Sequence, residues 1–350
     1  MSAARPMPAA TSRLTPTGPT YAVEAHELVK TYGSPSRTGS GVRALDGLSF
    51  TVEAGTVFGL LGPNGAGKTT TVKVLTTLAR ADAGTAVVAG LDVGHAAADV
   101  RRSIGFVSQR PQFDPQATGR ENLVLQARLY GLSRAESRRR AEELLDRFGL
   151  AAAADRVART YSGGMARRLD VALGLTHRPS VLFLDEPTTG LDPEARADMW
   201  DEIARLAGDE GLTVVLTTHN LDEADRLASR LAIVDRGRVV VTGTPEELKR
   251  ELHGDAITVE LTESHPDGRA RAALERLHGV HDVLEDDRLL RARFEHGASA
   301  VPVVLGALED VGVRVASVTI ARPSLDDVYL RYAGRAFSAD ETAEATEVAA

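Results

Sequence analysis

Residues 62–70 have the sequence Gly-Pro-Asn-Gly-Ala-Gly-Lys-Thr-Thr and match the pattern Gly-x4-Gly-Lys-Thr, in which a glycine-rich loop cradles phosphate groups. The glycines let the backbone curl so that several N–H groups point at one spot. Lys68 adds a positive charge that can reach the β- and γ-phosphates, and the Thr69 hydroxyl can ligate Mg²⁺. The stretch predicts a phosphate-binding loop for a nucleoside triphosphate.

The segments on either side of this loop provide the structural context that the pattern requires. Residues 57–61 are apolar, as expected for a buried strand. After the loop, Val72, Leu75 and Leu78 recur at three-residue spacing and predict the apolar face of a helix. The start of that helix would itself favour an anion, because its first N–H groups have no partner within the helix. A chance glycine turn is therefore the weaker interpretation.

The composition restricts the class of protein. The 350 residues suffice for two or three domains, and 49 acidic against 41 basic residues give a net charge of −8, which argues mildly against a broad grip on nucleic acid. The absence of cysteine excludes disulfides and thiolate metal sites. No apolar run approaches the roughly 20 residues that span a bilayer, and the N-terminus lacks a signal-peptide pattern. We expect a soluble cytoplasmic chain that reaches a membrane only through a partner.

A second motif lies at residues 180–186, where an apolar stretch ends in two acidic residues. Four apolar residues that end in two acids indicate a buried strand delivering carboxylates to the C-terminal edge of a sheet. There Asp185 would hold Mg²⁺ and Glu186 would polarise the attacking water. A plain strand end with acidic caps is the alternative, which the nearby phosphate-loop motif makes less favourable.

Three other side chains stand at ends of predicted strands. Gln109 follows the strand at residues 104–107 and could touch Mg²⁺ or the attacking water, although a single glutamine is usually a loop residue. His219 follows the strand at residues 213–217 and could contact a γ-phosphate, although a lone histidine is more often structural. Tyr32 precedes a flexible loop at residues 33–41 and could equally stack on a base or pack within a hairpin.

A second anion-binding helix start is predicted at residues 161–165, Tyr-Ser-Gly-Gly-Met. Ser162 would cap a helix over residues 166–176, and a single site rarely needs two such helix starts from one chain. Other helix starts are predicted at four caps, Thr118–Glu121, Ser133–Glu136, Asn220–Glu223 and Thr244–Glu247. Residues 138–140 are three arginines, which we interpret as a solvated helix face rather than a partner surface.

The order and spacing of these motifs resemble those of the ATP-binding cassette (ABC) ATPases over roughly residues 21–250. The resemblance rests on residues 62–69, Gln109, residues 162–164, residues 182–186, residues 191–192 and His219. It implies an α/β P-loop NTPase cassette with an inserted helical subdomain at about residues 110–178. It also implies a head-to-tail homodimer in which each ATP lies between one chain's phosphate loop and the other's signature helix, which would explain the two anion-binding helix starts.

The same resemblance implies a role for each matching residue. The nucleotide-binding residues would be Tyr32, Gly62, Pro63, Asn64, Gly65, Ala66, Gly67, Lys68, Thr69, Thr70, Ser162, Gly163 and Gly164. Tyr32 would stack on adenine, Glu186 would be the catalytic base and His219 would sense the γ-phosphate, with Gln109 as the third catalytic residue. Mg²⁺ would be held by Thr69, Gln109 and Asp185, so that ATP and Mg²⁺ are the expected cofactors.

The signature departs from the commonest family form at two positions, with Tyr161 in place of leucine and Met165 in place of glutamine. The phosphate contacts of Ser162 and the glycines should survive, whereas a polar contact from the fifth position is put in doubt. Residues 161–170 and 217–225 are similar to those of the drug- and antibiotic-exporting subgroup, the daunorubicin-resistance type of ATPase subunit.

The C-terminal part predicts a small α+β domain at residues 256–335 with the element order of a ferredoxin-like fold. Residues 322–330, Arg-Pro-Ser-Leu-Asp-Asp-Val-Tyr-Leu, resemble the terminal motif of the exporter subgroup and predict a short helix begun by Pro323. The resemblance gives this domain a regulatory or dimer-stabilising role. Residues 1–20 and 336–350 are predicted to be disordered tails.

These features predict the ATPase subunit of an ABC exporter, acting at the cytoplasmic face of the membrane on an antibiotic or hydrophobic drug through a separate permease. A soluble ABC ATPase acting on nucleic acid or the ribosome is one alternative, but the coiled coils, zinc cysteines or second cassette typical of that class are absent from the sequence. A drug-sequestering resistance protein is another, although aromatic residues make up only 4% of the chain. Import instead of export is disfavoured by the signature subgroup.

Overall fold

The computed structural model describes residues 21–33, 41–252, 254–265, 267–294, 297–334 and 337. The two predicted disordered tails, residues 1–20 and 336–350, lie outside the described residues except for Phe337. Most of the predicted flexible loop at residues 33–41 also lies outside them.

Two β-sheets organise the chain between Tyr21 and Gly243. Their strands are β1 (Tyr21–Tyr32), β2 (Val42–Glu53), β3 (Val57–Leu61), β4 (Ala83–Val88), β5 (Leu91–Asp92), β6 (Ile104–Val107), β7 (Val181–Asp185), β8 (Thr213–Thr218), β9 (Arg230–Asp235) and β10 (Arg238–Gly243). The core sheet has the order β10-β9-β3-β8-β7-β6, parallel except for β10, and β1, β2, β4 and β5 form a separate antiparallel sheet. Strands β3, β7 and β8 are buried throughout, as expected for parallel strands covered on both faces, and they are apolar except for Asp185 at the end of β7 and the three threonines of β8.

Eight helices accompany these sheets. They are α1 (Lys68–Leu75), α2 (Ala97–Ser103), α3 (Gly119–Leu129), α4 (Arg134–Arg147), α5 (Gly163–Gly174), α6 (Pro193–Gly208), α7 (Leu221–Leu227) and α8 (Pro245–Arg250). The capping boxes predicted for α3, α4 and α8 are confirmed, since each N-cap hydroxyl and each glutamate three residues on bond reciprocally. Helices α3, α4 and α5 share one apolar cluster with β7, which joins the inserted helices to the core sheet.

The helix after the phosphate loop ends earlier than its apolar spacing predicts. Helix α1 ends at Leu75, and the next turn reverses because the N–H groups of Leu78 and Ala79 both donate to the Lys73 carbonyl, at 2.8 and 2.9 Å. Leu78 is therefore 59% exposed, and the prediction that it belongs to the buried helix face is wrong. The spacing of apolar residues alone does not show where a helix closes.

Two other local predictions need correction because tertiary contacts override them. Asn220 caps α7 as expected, but Glu223 does not complete the cap. Its carboxylate is buried and accepts from the Thr188 hydroxyl at 2.8 Å and the Trp200 indole at 3.1 Å. Of the three arginines on α4, Arg140 is not part of a solvated face. It donates to the carbonyl of Leu175 at 2.8 Å and so stabilises the end of α5, where carbonyl groups need donors.

The C-terminal part has its own sheet and its own apolar core. Its elements are β11 (Asp255–Leu261), α9 (Arg269–Glu275), β12 (Val280–Asp286), β13 (Leu289–Phe294), α10 (Gly297–Asp310) and β14 (Val315–Ala321). The strands are antiparallel in the order β12-β13-β11-β14, and α9 and α10 supply apolar side chains to the same cluster as the strands. The element order β-α-β-β-α-β is the one that the sequence predicts.

The last helix with described bounds is α11 (Leu325–Ala333), which returns from this sheet to the core of the cassette. Its apolar face, Leu325, Val328 and Tyr329, is buried in a cluster with Leu231, Leu248 and Leu252. At its start Asp327 pairs with Arg293 of β13 at 3.1 Å, so α11 contacts both parts of the chain. Pro323 lies before the N-cap Ser324 and is not the first residue of the helix, because Ser324 and Asp327 form the capping box.

Candidate active site

The phosphate-binding loop lies between β3 and α1, and its glycines are required by close neighbours. Gly65 and Gly67 have positive φ angles of 70° and 106°, which favour glycine. A Cβ at Gly62 would collide with the Val234 carbonyl, and one at Gly67 would lie 2.5 Å from the Ala44 carbonyl. Gly67 caps α1 and offers no side-chain hydrogen bond, so the first N–H groups of that helix are open to an anion.

Lys68 is buried and lies across this loop. Its ammonium donates to the carbonyls of Gly62 at 2.6 Å and Pro63 at 2.8 Å. These bonds turn the charge back over the loop, where the β- and γ-phosphates of a nucleotide would bind. The predicted contact of Lys68 with phosphate is consistent with this orientation.

Thr69 and Asp185 come together from the two motifs, as a shared metal site requires. The Thr69 hydroxyl donates to Asp185 Oδ1 at 3.1 Å, and the Thr217 hydroxyl donates to the same atom at 2.6 Å. A hydroxyl and a carboxylate are oxygen ligands of the kind that Mg²⁺ prefers. Mg²⁺ in nucleotide sites is held by one or two carboxylates plus phosphates, so the donor set fits this ion even though no cluster of three acidic or imidazole side chains occurs among the described residues.

Glu186 follows Asp185 and lies at the centre of a polar cluster. Its carboxylate accepts from Thr189 at 3.1 Å, lies 3.2 Å from His219 Nδ1 and is hydrogen-bonded by the Gln109 side chain. Burial would raise the pKa of Glu186, but the hydrogen bond from His219 and the charges of His219 and Lys68 outweigh it, so the pKa is lowered. The group is therefore ionised at neutral pH, as a base must be.

The structure brings the predicted catalytic residues together and places Tyr32 on a different strand pair. Gln109, Glu186 and His219 meet at the C-terminal edge of the sheet, close to Thr69 through Asp185. Tyr32, 41% exposed, lies at the end of β1 opposite Val42, on the strand pair whose Ala44 carbonyl faces Gly67. The ring of Tyr32 is therefore accessible, and its stacking on a base stays a prediction.

The signature residues lie in a different environment. Ser162 caps α5 by accepting from the Met165 N–H at 3.3 Å. A Cβ at Gly163 would be nearest Leu191, and one at Gly164 nearest Ala195 of α6. Asp192 caps α6 beside them. Ser162 and Gly163 are exposed, so this helix start is open to a ligand from outside the chain.

Arg167 is a site residue that sequence analysis missed. Its guanidinium, buried to 8% exposure, donates to the carbonyls of Ser108 at 2.6 Å, Pro187 at 2.7 Å, and Asp185 and Glu186 at 3.2 Å each. Burial lowers the pKa of Arg167, and the nearest carboxylates, beginning with Asp170, oppose that shift. Because a guanidinium stays protonated in proteins, Arg167 is a cation that joins residues 108–112 after β6, here called the Gln109 loop, to the strand end carrying the two acids.

Glu186 has a strained backbone that this cation stabilises. Its φ is +48°, in the left-handed region that non-glycine residues seldom adopt. The turn directs the carbonyls of Asp185, Glu186 and Pro187 at one guanidinium. Two hydroxyls were also missed by sequence analysis, those of Thr189 and Thr217, which hold Glu186 and Asp185.

Asp170 lies one turn after Arg167 and was also missed. Its carboxylate accepts from the N–H of Gln112 at 2.9 Å and is 2% exposed. Burial raises the pKa of Asp170 to about 6, while the bonds from the Gln112 and Phe113 backbones and the charge of Arg167 limit the rise. The only signal in the sequence was an arginine and an aspartate three residues apart immediately after the signature.

Comparison with known proteins identifies the family of the chain. Residues 45–189 match the family model described as ABC transporter, and residues 243–333 match the C-terminal domain of the ATP-binding protein DrrA1-3-like family. The chain is 50% identical to the daunorubicin resistance ATP-binding protein DrrA3 of Streptomyces coeruleorubidus over 292 residues, covering 83% of this chain and 92% of that protein.

Another relative and a solved structure extend the comparison. The daunorubicin/doxorubicin resistance ATP-binding protein DrrA of Streptomyces peucetius is 45% identical over 332 residues, which cover 95% of this chain and 98% of that protein. The dimeric structure of a post-hydrolysis state of the ATP-binding cassette MJ0796, bound to ADP and Pi, is 26% identical with a TM-score of 0.58, covering 63% of this chain and 98% of that one. Among the described residues, no helix combines the length and apolarity needed to cross a membrane.

Proposed function

The chain belongs to the ABC transporter family of ATP-binding subunits, and we propose that it drives efflux of an antibiotic or hydrophobic drug through a separate membrane permease. As a member of this family it binds ATP with Mg²⁺ and hydrolyses ATP to ADP and phosphate. The proposal of drug efflux is supported by one observation above all, the similarity to daunorubicin resistance proteins that extends through both the cassette and the C-terminal part.

We propose that hydrolysis uses the residues gathered around Glu186. Lys68 would bind the β- and γ-phosphates, and Glu186 would accept the proton of the attacking water. Mg²⁺ held by Thr69, Asp185 and Gln109 would neutralise charge on the transferred phosphoryl group. His219, beside Glu186, would contact the γ-phosphate and so orient the base toward it. The lowered pKa keeps Glu186 ionised at neutral pH, which is the protonation state that a base requires.

The active form is proposed to be a homodimer with two ATP molecules between the chains. The exposed start of α5, Ser162 to Gly164, would bind the phosphates of an ATP held by the partner's phosphate loop. Tyr32 would stack on the adenine of the ATP held by its own chain. The dimeric structure of the solved relative supports a dimer of cassettes. Closure on ATP followed by opening after hydrolysis would move the permease.

The permease proposal places the chain at the cytoplasmic face of the membrane without crossing it. To test it, tagged Glu186→Gln protein would be expressed in the native host, supplied with ATP, extracted with mild detergent and purified with whatever remains bound. A polytopic membrane protein in near-equal amount is the expected result. Recovery of only ribosomes or nucleic acid would contradict the exporter assignment, and so would direct, tight drug binding by the isolated subunit.

A further inference from the structure

Arg167 and Asp170 connect the signature helix to the Gln109 loop at both ends of that loop. Arg167 donates to the carbonyl of Ser108, the residue before Gln109, at 2.6 Å. Asp170 accepts from the N–H of Gln112, three residues after Gln109, at 2.9 Å. Both side chains are buried on α5, which begins at the signature glycines. A displacement of α5 must therefore move the Gln109 loop or break these bonds.

The same guanidinium also connects α5 to the backbone of the catalytic base. Arg167 donates to the carbonyls of Pro187 at 2.7 Å and of Glu186 at 3.2 Å. Because the left-handed backbone of Glu186 is strained, it depends on such contacts to keep its conformation. One cation thus bonds both segments that carry Gln109 and Glu186, the two groups proposed to act on the attacking water.

We propose that Arg167 and Asp170 are positioning residues that couple the two ATP sites of the dimer. The inference rests on the proposed dimer, in which the start of α5 contacts the ATP held by the partner chain. Phosphate binding at Ser162 would set the position of α5, and Arg167 and Asp170 would transmit this position to Gln109 and Glu186. Those two residues act on the ATP held by their own chain, so each ATP would control hydrolysis of the other.

The coupling is tested by measuring the ATPase rate of the full-length chain against ATP concentration. We expect the wild type to show a Hill coefficient between 1 and the limit of about 2 that two coupled sites allow. In Arg167→Lys and in Asp170→Ala, which removes the acceptor of the Gln112 N–H, the coefficient should fall to 1, and kcat should fall by about 10-fold or more because Glu186 and Gln109 are misplaced. Lysine keeps the charge but cannot span four carbonyls as a planar guanidinium does. Binding of a fluorescent ATP analogue to the phosphate loop should be unchanged.

Arg168→Gln is the matched control. Arg168 is the next residue on the same helix, but its side chain is partly exposed and pairs with Asp198 of α6 at 2.5 Å. An exposed ion pair of this kind contributes little. The control should keep both kcat and the Hill coefficient, which separates the coupling role from a general effect of changing charge on α5.

Three outcomes would overturn the inference, and they are distinguishable. Unchanged kcat and Hill coefficient in both variants would reject the coupling while leaving the dimer intact. A parallel loss of thermal stability and kcat with an unaltered Hill coefficient would make the two residues structural only. Failure of Glu186→Gln to dimerise on addition of ATP, measured by light scattering after gel filtration, would reject the proposed dimer and the coupling together.

Discussion

The phosphate loop and the Gln109 loop serve one active site, yet they are held by different kinds of contact. Backbone carbonyls of Val234 and Ala44 crowd the phosphate loop so closely that only glycine fits at positions 62 and 67. The Gln109 loop is held by two buried side chains, Arg167 and Asp170, that belong to a single helix. Crowding by backbone therefore fixes the conformation of the phosphate loop, whereas the position of the Gln109 loop depends on that of α5. With the proposed coupling, the phosphate loop would bind nucleotide before α5 is in place, and hydrolysis would wait for α5.

Glu186→Gln should give the largest effect and should fall on hydrolysis alone. The amide keeps the shape of the carboxylate but cannot accept the proton of water, so the ATPase rate should drop by roughly 10²- to 10⁴-fold. Phosphate release and equilibrium ATP binding would be measured on the same preparation, and binding should be retained. Near-normal turnover would contradict the role of Glu186 and with it the division between the two loops.

Lys68→Ala should act on the other loop and on affinity. Loss of a charged hydrogen-bond donor costs about 1.5–3 kcal/mol, so ATP binding should weaken by roughly 10- to 150-fold. Titration with a fluorescent ATP analogue would measure it, with Arg168→Gln as the unaffected comparison. Binding equal to that of the wild type would show that the Lys68 ammonium does not reach the phosphates.

Gly62→Ala tests whether the phosphate loop is fixed by crowding. The added methyl group meets the Val234 carbonyl, and overpacking of this kind costs about 1–3 kcal/mol in free energy of unfolding. Gly208→Ala is the control, because no neighbour lies within 4 Å of its Cβ at the end of α6. Equal stability of the two variants in a urea titration would mean that the loop yields to the methyl group.

The smallest effect should appear in the pH dependence of stability, through Asp170. Its pKa is about 6 in the folded chain and near 3.8 when unfolded, so the folded state takes up a proton first as the pH falls. This group therefore adds about 1 kcal/mol to the free energy of unfolding between pH 7.5 and pH 5. Asp170→Asn should remove that increment from the urea-derived profile. An identical pH profile of stability in both proteins would show that the pKa of the Asp170 carboxyl is not raised.

The contrast between the loops also explains how far the sequence could be interpreted. The cassette and its helical insertion were implied by the resemblance to ABC ATPases. The phosphate loop around Gly62 and the acidic strand end at Asp185 were predictable because steric and chemical demands fix those residue types at short spacings, and His219 was interpreted from the context of these motifs. Arg167 was not predictable, because its acceptors lie up to 59 residues away and are backbone carbonyls with no residue signature. The predictions for Glu223 and Leu78 were wrong for a related reason. The partners of Glu223 are distant in sequence, and the position of Leu78 depends on where α1 ends.

The return of α11 to the cassette makes the order of synthesis matter. Tyr329 and Val328 share an apolar cluster with Leu231 and Leu252, so this cluster stays incomplete until α11 has left the ribosome. At a synthesis rate of about 5–20 residues per second, the stretch between Leu252 and Leu325 takes roughly 4–15 seconds. During that interval the nascent cassette would expose apolar side chains of this cluster. A chain that terminates before α11 would expose them permanently and would be a substrate for chaperones and proteases.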